Sequence, residues 1–236
     1  FFTEDSDQRL HRVDDVPAET PVPITPVPIT PVPPSPRSWR YADGCVSADG
    51  AWVICVRERH EPGGEVHHEL VALPADGQAP PRVIASGHDF YAAPRLSPDG
   101  ARLAWITWDH PDMPWDVTTL WLAEVDRAAD GPVLRGVRAV AGDGQMSLLQ
   151  PEWSPDGELY VVTDHIGWWN VYRLYDLDGD RPGLMAINPV AADVGLPAWV
   201  FGRDRYVVDA DPRGGTRVTF TYSDGDGAHL VTVRAD

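Results

Sequence analysis

Three short turns constrain this chain more than any other feature in it. "SADG" begins at Ser47, "SPDG" at Ser97 and "SPDG" again at Ser154, at spacings of 50 and 57 residues. The chemistry of such a turn is specific. Ser caps the first position, Pro presets φ near about −65° at the second, Asp bonds back to the backbone, and Gly takes the positive φ. Ala48 stands where the other two copies have Pro, which loosens the first turn but is compatible with the same type.

The flanks repeat along with the turns. Pro-x-apolar precedes two of them, "PRL" at 94–96 and "PEW" at 151–153, and "PAW" at 197–199 opens a fourth copy that lacks the turn. A β-branched or aromatic run follows each turn: "AWVICV", "RLAWIT" and "ELYVVT". A second run comes next, "ELVAL" at 69–73, "LWLAEV" at 120–125 and "NVYRLYDL" at 170–177, then a weaker third such as "RVIAS" at 82–86 or "VRAVAG" at 137–142. No segment holds apolar residues at helical spacing over three turns, so the chain is predicted to be all β. Four-stranded antiparallel units recurring about every 50 residues are the mark of a β-propeller. A β-sandwich with chance turn similarity would not place three features in register.

The expected organisation is an incomplete propeller of about three full blades and two partial ones. Residues 1–16 form a partial first blade and 17–36 a proline-rich connector. Blades follow at 37–86, 87–143 and 144–193, and 194–236 is a truncated blade. The connector holds the tandem run "PVPITPVPITPVPP". Proline cannot donate to a ladder, so this run is an extended polyproline-type segment or an edge strand. The opening "FFTEDSDQRLHRVDD" has neither an initiator Met nor a leader pattern, so the chain is expected to begin within a larger protein.

Composition narrows the function. The 36 acidic residues outnumber 19 basic ones, giving a formal charge of −17. A phosphate backbone would be repelled, so nucleic acid is excluded as a partner. No apolar run approaches the length of a membrane span, so no membrane partner is expected. All the basic residues are Arg, which removes Schiff-base lysines, phosphate-loop lysines and Ser–Lys dyads. Cys45 and Cys55 flank a hairpin turn and are read as free thiols of a reducing, cytoplasmic compartment. No Gly-x-Ser-x-Gly occurs, and neither Cys has a catalytic context, so no catalytic residue is assigned and the chain alone should be inactive. No cofactor is implied.

In an antiparallel blade the turns joining first to second strand lie on one face. The second-to-third loops and the connections between blades share the other face, where the unusual residues map. One such loop is expected to carry His60, His67 and His68. The next is "WDHPDMPWD", with Asp109, His110, Asp112, Trp115 and Asp116, and a third is "DHIGWW", with Trp168 and Trp169. The connection "GHDFYAAP" adds His88, Asp89 and Tyr91. One face is simple and the other elaborated, which points to function on the second. A metal site lacks ligand spacing, and an acid–base pair lacks a nucleophile. The favoured reading is a stiff, shaped wall; no metal ligand is assigned. "DLDGD" at 176–180 is read as a hairpin turn.

"DQRLHR", "RYADG", "VRERHE", "GHDFYAAPRLSPDGARLAWITWDHPDMPWD", "QPEWSPDGELYVVTDHIGWWNVYRL" and "PAWVFG" follow one another as in bacterial serine peptidases of the prolyl oligopeptidase family. The chain resembles the members described as dipeptidyl aminopeptidases or acylaminoacyl-peptidases over nearly its whole length, the proline repeat excepted. That resemblance implies an N-terminal propeller followed by a C-terminal α/β-hydrolase domain with a Ser-Asp-His triad. It implies that the propeller gates entry of short peptides, its partner being that hydrolase domain. No triad position has a counterpart here, and the paired-glutamate motif of some dipeptidyl peptidases is absent. The alternative is a stand-alone propeller that binds proteins, like those of Tol-type translocation systems, and a degenerate gene fragment is a third reading.

Overall fold

A computed structural model describes residues 1–14, 25–128, 130–142 and 144–235. Among these described residues there is no helix, and eighteen strands form five antiparallel sheets. The first sheet has three strands, β1 (Phe2–Thr3), β2 (Leu10–Arg12) and β3 (Val27–Pro28). The next has four: β4 (Trp39–Val46), β5 (Trp52–His60), β6 (Val66–Pro74) and β7 (Arg82–Ala85). The third comprises β8 (Phe90–Leu96), β9 (Arg102–Trp108), β10 (Thr119–Ala128) and β11 (Gly131–Ala141). The fourth comprises β12 (Leu148–Trp153), β13 (Leu159–Thr163), β14 (Asn170–Tyr175) and β15 (Gly183–Ala186). The last has β16 (Tyr206–Ala210), β17 (Thr216–Asp224) and β18 (Gly227–Arg234).

Each sheet pairs in chain order, and the leading strands β4, β8, β12 and β16 neighbour one another in sequence. This is the arrangement of successive propeller blades, three complete and two partial. Four apolar clusters lie between the five sheets. Strand alternation explains them. In β13 every residue is buried, because Leu159 and Val161 pack towards the third sheet while Tyr160 and Val162 pack towards the fifth. A strand with a blade on both sides reads as a continuous apolar run rather than an alternating one.

The turns form as their chemistry demands. The Gly50, Gly100 and Gly157 amides donate to the carbonyls of Ser47, Ser97 and Ser154, at 2.8, 2.8 and 3.0 Å. Each Ser hydroxyl donates to the Asp two residues on and accepts an amide from the start of the returning chain, that of Trp52, Arg102 or Glu158, at 2.9 Å. The three glycines have φ of 69°, 68° and 87°.

The fourth copy differs from the expectation. "PAW" at 197–199 lies outside any strand, and the leading strand is β16, further on. That copy does have the turn. Asp211 replaces the Ser, the Gly214 amide donates to its carbonyl at 2.8 Å, and its carboxylate takes the Arg213 amide at 2.7 Å. An Asp cap with two glycines after it does the same work as Ser-Pro-Asp-Gly, under a different spelling.

The proline run enters the fold as an edge strand at Val27–Pro28, which pair with Arg12 and His11. The rest of the run up to Ile24 lies outside the described residues. Ile29 is buried with Leu10 against Tyr41 and Val53, so the first sheet is packed on the second. The cysteines are free thiols, Cys55 buried and Cys45 partly so; burial pushes them up to about 12 and about 11. Neither has the electropositive, low-pKa setting of a reactive cysteine.

Candidate functional site

The elaborated face is tied together by reciprocal hydrogen bonds. The Asp89 amide donates to Asp109 Oδ1 at 2.7 Å, and the His110 amide returns a bond to Asp89 Oδ2 at 2.8 Å. His88 Nδ1 lies 2.8 Å from Asp109 Oδ2. The connection between the second and third sheets is thus clamped to the opening of "WDHPDMPWD". Burial pushes the Asp109 carboxyl up, but the Asp89 amide and His88 outweigh it and hold it below the usual carboxylate range. Phe90 stacks on Trp108 with ring centres 5.0 Å apart, and His68 and His110 contact the same phenyl ring.

The middle of the loop turns on itself. Asp116 accepts the Met113 amide at 3.0 Å, and the His110–Pro111 peptide is cis. The Pro114 carbonyl takes the Ser147 hydroxyl at 2.7 Å, and Asp164 takes the Ser147 amide at 2.8 Å, linking this loop to "DHIGWW". Trp115 meets Trp199 with ring centres 4.3 Å apart. Asp109 and Asp116 take backbone donors, Asp109 with the His88 ring besides, and none of the loop carboxylates is turned to another. Among the described residues, Glu4, Asp7 and His11 form the one group whose ligand atoms lie close enough to share a metal, within 4.8 Å. Their contacts are those of an ion-paired turn, with His11 Nε2 3.3 Å from Asp7.

Five residues sit differently from the expectation. Tyr91 belongs to β8 and is buried in the core, its hydroxyl accepting the His88 amide at 3.3 Å. Trp169 packs against the cluster around Tyr160, whereas Trp168 is exposed. His67 and His68 lie in β6 and His60 ends β5, so the loop between them is only 61–65. A long hairpin has swallowed residues that looked like loop.

The sequence reading missed the cavity. A half-open cavity of about 210 Å³ lies between the leading strands of the third and fourth sheets and the long connection that ends at Arg205. Ile106, Trp108, Leu148 and Val162 line its floor, and Trp199, Val200 and Phe201 form its outer wall. Three consecutive leading strands each contribute a bulge residue with left-handed backbone: Asp43, Ala93 and Gln150, at φ of 49°, 50° and 49°. Each stands four residues before the Ser of its turn, and all three line the cavity. Bulges re-aim side chains in this way at functional rims. Arg95 lies 3.4 Å from Asp43 and 3.3 Å from Glu152, so the polar end of the cavity is an ionic network across three blades. Burial raises the Glu152 carboxyl, opposed by Arg95.

Residues 62–196, more than half of the chain, match the family model described as the lipoprotein LpqB beta-propeller domain. The chain belongs to that family. Its LpqB-type propeller is similar to a puromycin-hydrolyzing peptidase of Mycobacterium tuberculosis, at 36% identity and a TM-score of 0.82, covering 99% of this chain and 35% of that one. It is similar to a puromycin hydrolase at 26% identity and a TM-score of 0.75, covering 97% of this chain and 40% of that one. TolB from Acinetobacter baumannii, at 13% identity and a TM-score of 0.54 over 89% of this chain and 43% of that one, shares the fold alone. Prolyl oligopeptidases also share the fold. No curated protein matches the chain. The LpqB-type propeller thus corresponds to the propeller portion of prolyl oligopeptidase-type peptidases, and spans about two-fifths or less of the puromycin-hydrolysing relatives. Among the described residues no helix is long and apolar enough to cross a membrane.

Proposed function

We propose that this chain is the non-catalytic, substrate-gating propeller of a serine peptidase that cleaves short peptides. The observation that carries the reading is the 36% identity, over 99% of the chain, to a puromycin-hydrolyzing peptidase. The asymmetry between the two faces supports it, since a gate needs one built face and one plain one. In this reading the partner is the C-terminal α/β-hydrolase domain of the same parent protein, which supplies the Ser-Asp-His triad. "WDHPDMPWD" faces that domain, with Asp109 and Asp89 stiffening the contact and Asp112 and Asp116 attracting a peptide's α-ammonium. His88, His110, Trp115, Trp168 and Trp169 frame the same surface. The free thiols favour a reducing compartment such as the cytoplasm.

The gene beyond Asp236 provides the test. A Gly-x-Ser-x-Gly segment within the next few hundred codons, followed by Asp and His, is the expected result. A stop codon would overturn the reading and favour the stand-alone binding module, which has the TolB likeness in fold on its side. Assays of the longer protein on free-amino and acyl-blocked peptides then separate dipeptidyl aminopeptidase from acylaminoacyl-peptidase activity.

A further inference from the structure

Residues 20–28 and residues 25–33 spell the same nine letters, "TPVPITPVP". The structure seats the second copy against the first and second sheets. We propose that the run is a two-position strap, in which the first copy takes the same seat by a slip of five residues. The strap uses only this chain's residues and does not depend on the peptidase reading.

The seat is built for two side chains. Ile29 and Thr30 are each 2% exposed, although they lie in a run of prolines. Ile29 packs with Leu10, Tyr41 and Val53, and it lies so close over Gly77 that a Cβ there would stand 2.9 Å from the Ile29 Cα. The Ile29 amide donates to the Leu10 carbonyl at 2.9 Å, and the Thr30 hydroxyl accepts the Leu10 amide at 3.1 Å. The Thr30 carbonyl takes the Arg9 guanidinium at 2.8 Å. Beyond this anchor the attachment is thin. Among the described residues of the run, Val27 and Pro28 alone pair with β2, and proline brings no N–H to the ladder.

A strand's register is specified by its side chains, and a repeated set specifies two registers equally. Slipping by five puts Ile24 where Ile29 lies and Thr25 where Thr30 lies. Each residue from 20 to 28 then meets the surroundings that its copy meets now. The opposite slip fails. It would bring Pro34 to the Ile29 position, with no N–H for the Leu10 carbonyl. Two positions are therefore allowed rather than a continuum. Their loop costs nearly cancel as well. The slip shortens the loop after Arg12 from 13–26 to 13–21 and lengthens the connection to β4 from 31–38 to 26–38. Closure entropy follows only the logarithm of length, and the two changes oppose each other.

Those two loops lie on opposite faces. The first joins third to fourth strand of its blade, on the face of the Ser-Pro-Asp-Gly turns. The second is a connection between blades on the elaborated face, where the Ser38 carbonyl takes the His60 amide at 2.7 Å. Each slip thus delivers five residues of slack beside His60, and its reversal withdraws them. Two packings of one sequence that lie close in free energy form a switch, and a contact made only by the longer connection would bias it.

A double-mutant cycle on the 236-residue chain tests the strap. An aspartate in the seat is a buried charge without a partner, which closes that register. Ile29→Asp is expected to lower the denaturant midpoint only slightly, because Ile24 takes the seat, and Ile24→Asp to leave it almost unmoved. The double substitution closes both registers and should lower the midpoint by about three times the summed single losses or more, as for residues that share one contact. Isoleucine methyl NMR reads the same event. In the Ile29→Asp chain, the Ile24 methyls should move to the shifted position that Ile29 holds among Leu10, Tyr41 and Val53. Deleting residues 21–25 leaves one copy, so the chain should fold as before and Ile29→Asp in that background should cost as much as the double substitution. Additive losses, an Ile29→Asp loss equal to that of the double, or Ile24 methyls unmoved in Ile29→Asp overturns the proposal. So does failure of the deletion variant to fold, since one copy would then not suffice to fill the seat.

Discussion

On the turn face, Ser47, Ser97 and Ser154 repeat one set of bonds, and Asp211 reproduces its backbone part with a different cap. On the opposite face, the second-to-third loops of the second to fifth sheets all differ in length, and the bonds are made between blades rather than within a turn: Asp89 with Asp109 and His110, Ser147 with Pro114 and Asp164. The contrast separates two tasks. A turn that recurs in every blade answers a requirement of the blade itself, reversing the chain in four residues with its polar groups satisfied. Loops that differ in every blade cannot be answering that requirement. Stability should therefore respond most to the repeated face, and ligand recognition most to the varied one.

The largest expected effect tests the first half of that statement. Ser154 is fully buried, and its hydroxyl serves the Glu158 amide, the Glu158 carbonyl and Asp156 at once. Ser154→Ala removes the hydroxyl with little change of volume and strands a part-buried amide, a cost of about 1–3 kcal/mol. A denaturant midpoint measured against the unmodified chain should show that loss. A cost within about 0.5 kcal/mol, the range of ordinary surface changes, would break the comparison from the stability side.

The next effect belongs to the seam between the second and third sheets. His68 Nε2 lies 3.2 Å from Glu58 Oε2, and Nδ1 faces the Asp89 carbonyl. Both partners only accept, so both ring nitrogens must donate and the bridge requires the imidazolium. The Glu58 bond raises the His68 pKa first, against burial, and the Asp89 carbonyl adds to it. Glu58 is held down at about 2, chiefly by His68, then by His60 and Arg40 against burial. The signs follow. The raised His68 contributes stability that is full below its unfolded value of about 6.5 and lost as pH rises through its folded value. Glu58 contributes stability that is present above its ordinary 4.5 and lost as pH falls towards about 2. His68→Gln should therefore cost about 1 kcal/mol near pH 6, after allowing for solvent screening, and progressively less towards pH 9. A cost independent of pH would mean that the ring is neutral and the seam is held by the Phe90 stack alone.

Asp109→Ala should cost less, about 0.5–1 kcal/mol, because the Asp89 amide and His88 that it releases lie near water. The Trp108 fluorescence should change all the same, since the ring rests on Phe90 beside the clamp. An unchanged spectrum would show that the loop keeps its path without the aspartate.

These two regions also differ in how far they can be read from residues. The turn face is legible because Ser, Pro, Asp and Gly each do something few other residues can, so the blades and their number follow from the spelling. Where Asp211 takes over the cap, the spelling changes and the fourth turn goes unseen, although Pro212 and the glycines after it remain. The elaborated face is legible only as a list. Its clamp joins residues twenty positions apart, and no local rule pairs Asp89 with Asp109. The cavity is less legible still. Asp43, Ala93 and Gln150 share a backbone conformation but no side-chain type, and among them only Asp is commonly found there. The exposed "WVF" run was the available signal, three apolar residues with no period to bury them.

The smallest expected change in stability carries the sharpest test of recognition. Asp116 bonds only within its own turn, and Asp112 offers its carboxylate to no described donor. Asp112→Asn with Asp116→Asn should leave the denaturant midpoint within about 0.5 kcal/mol of the parent, as for most surface changes. Both substitutions keep shape and remove charge. If these carboxylates attract a peptide's α-ammonium, KM in the longer protein rises for free-amino peptides and stays level for blocked ones, with kcat little changed. A rise of equal size for both peptide classes would assign the loop to shape rather than charge. A large fall in stability would be more damaging, because it would place on the varied face the structural work that belongs to the repeated one.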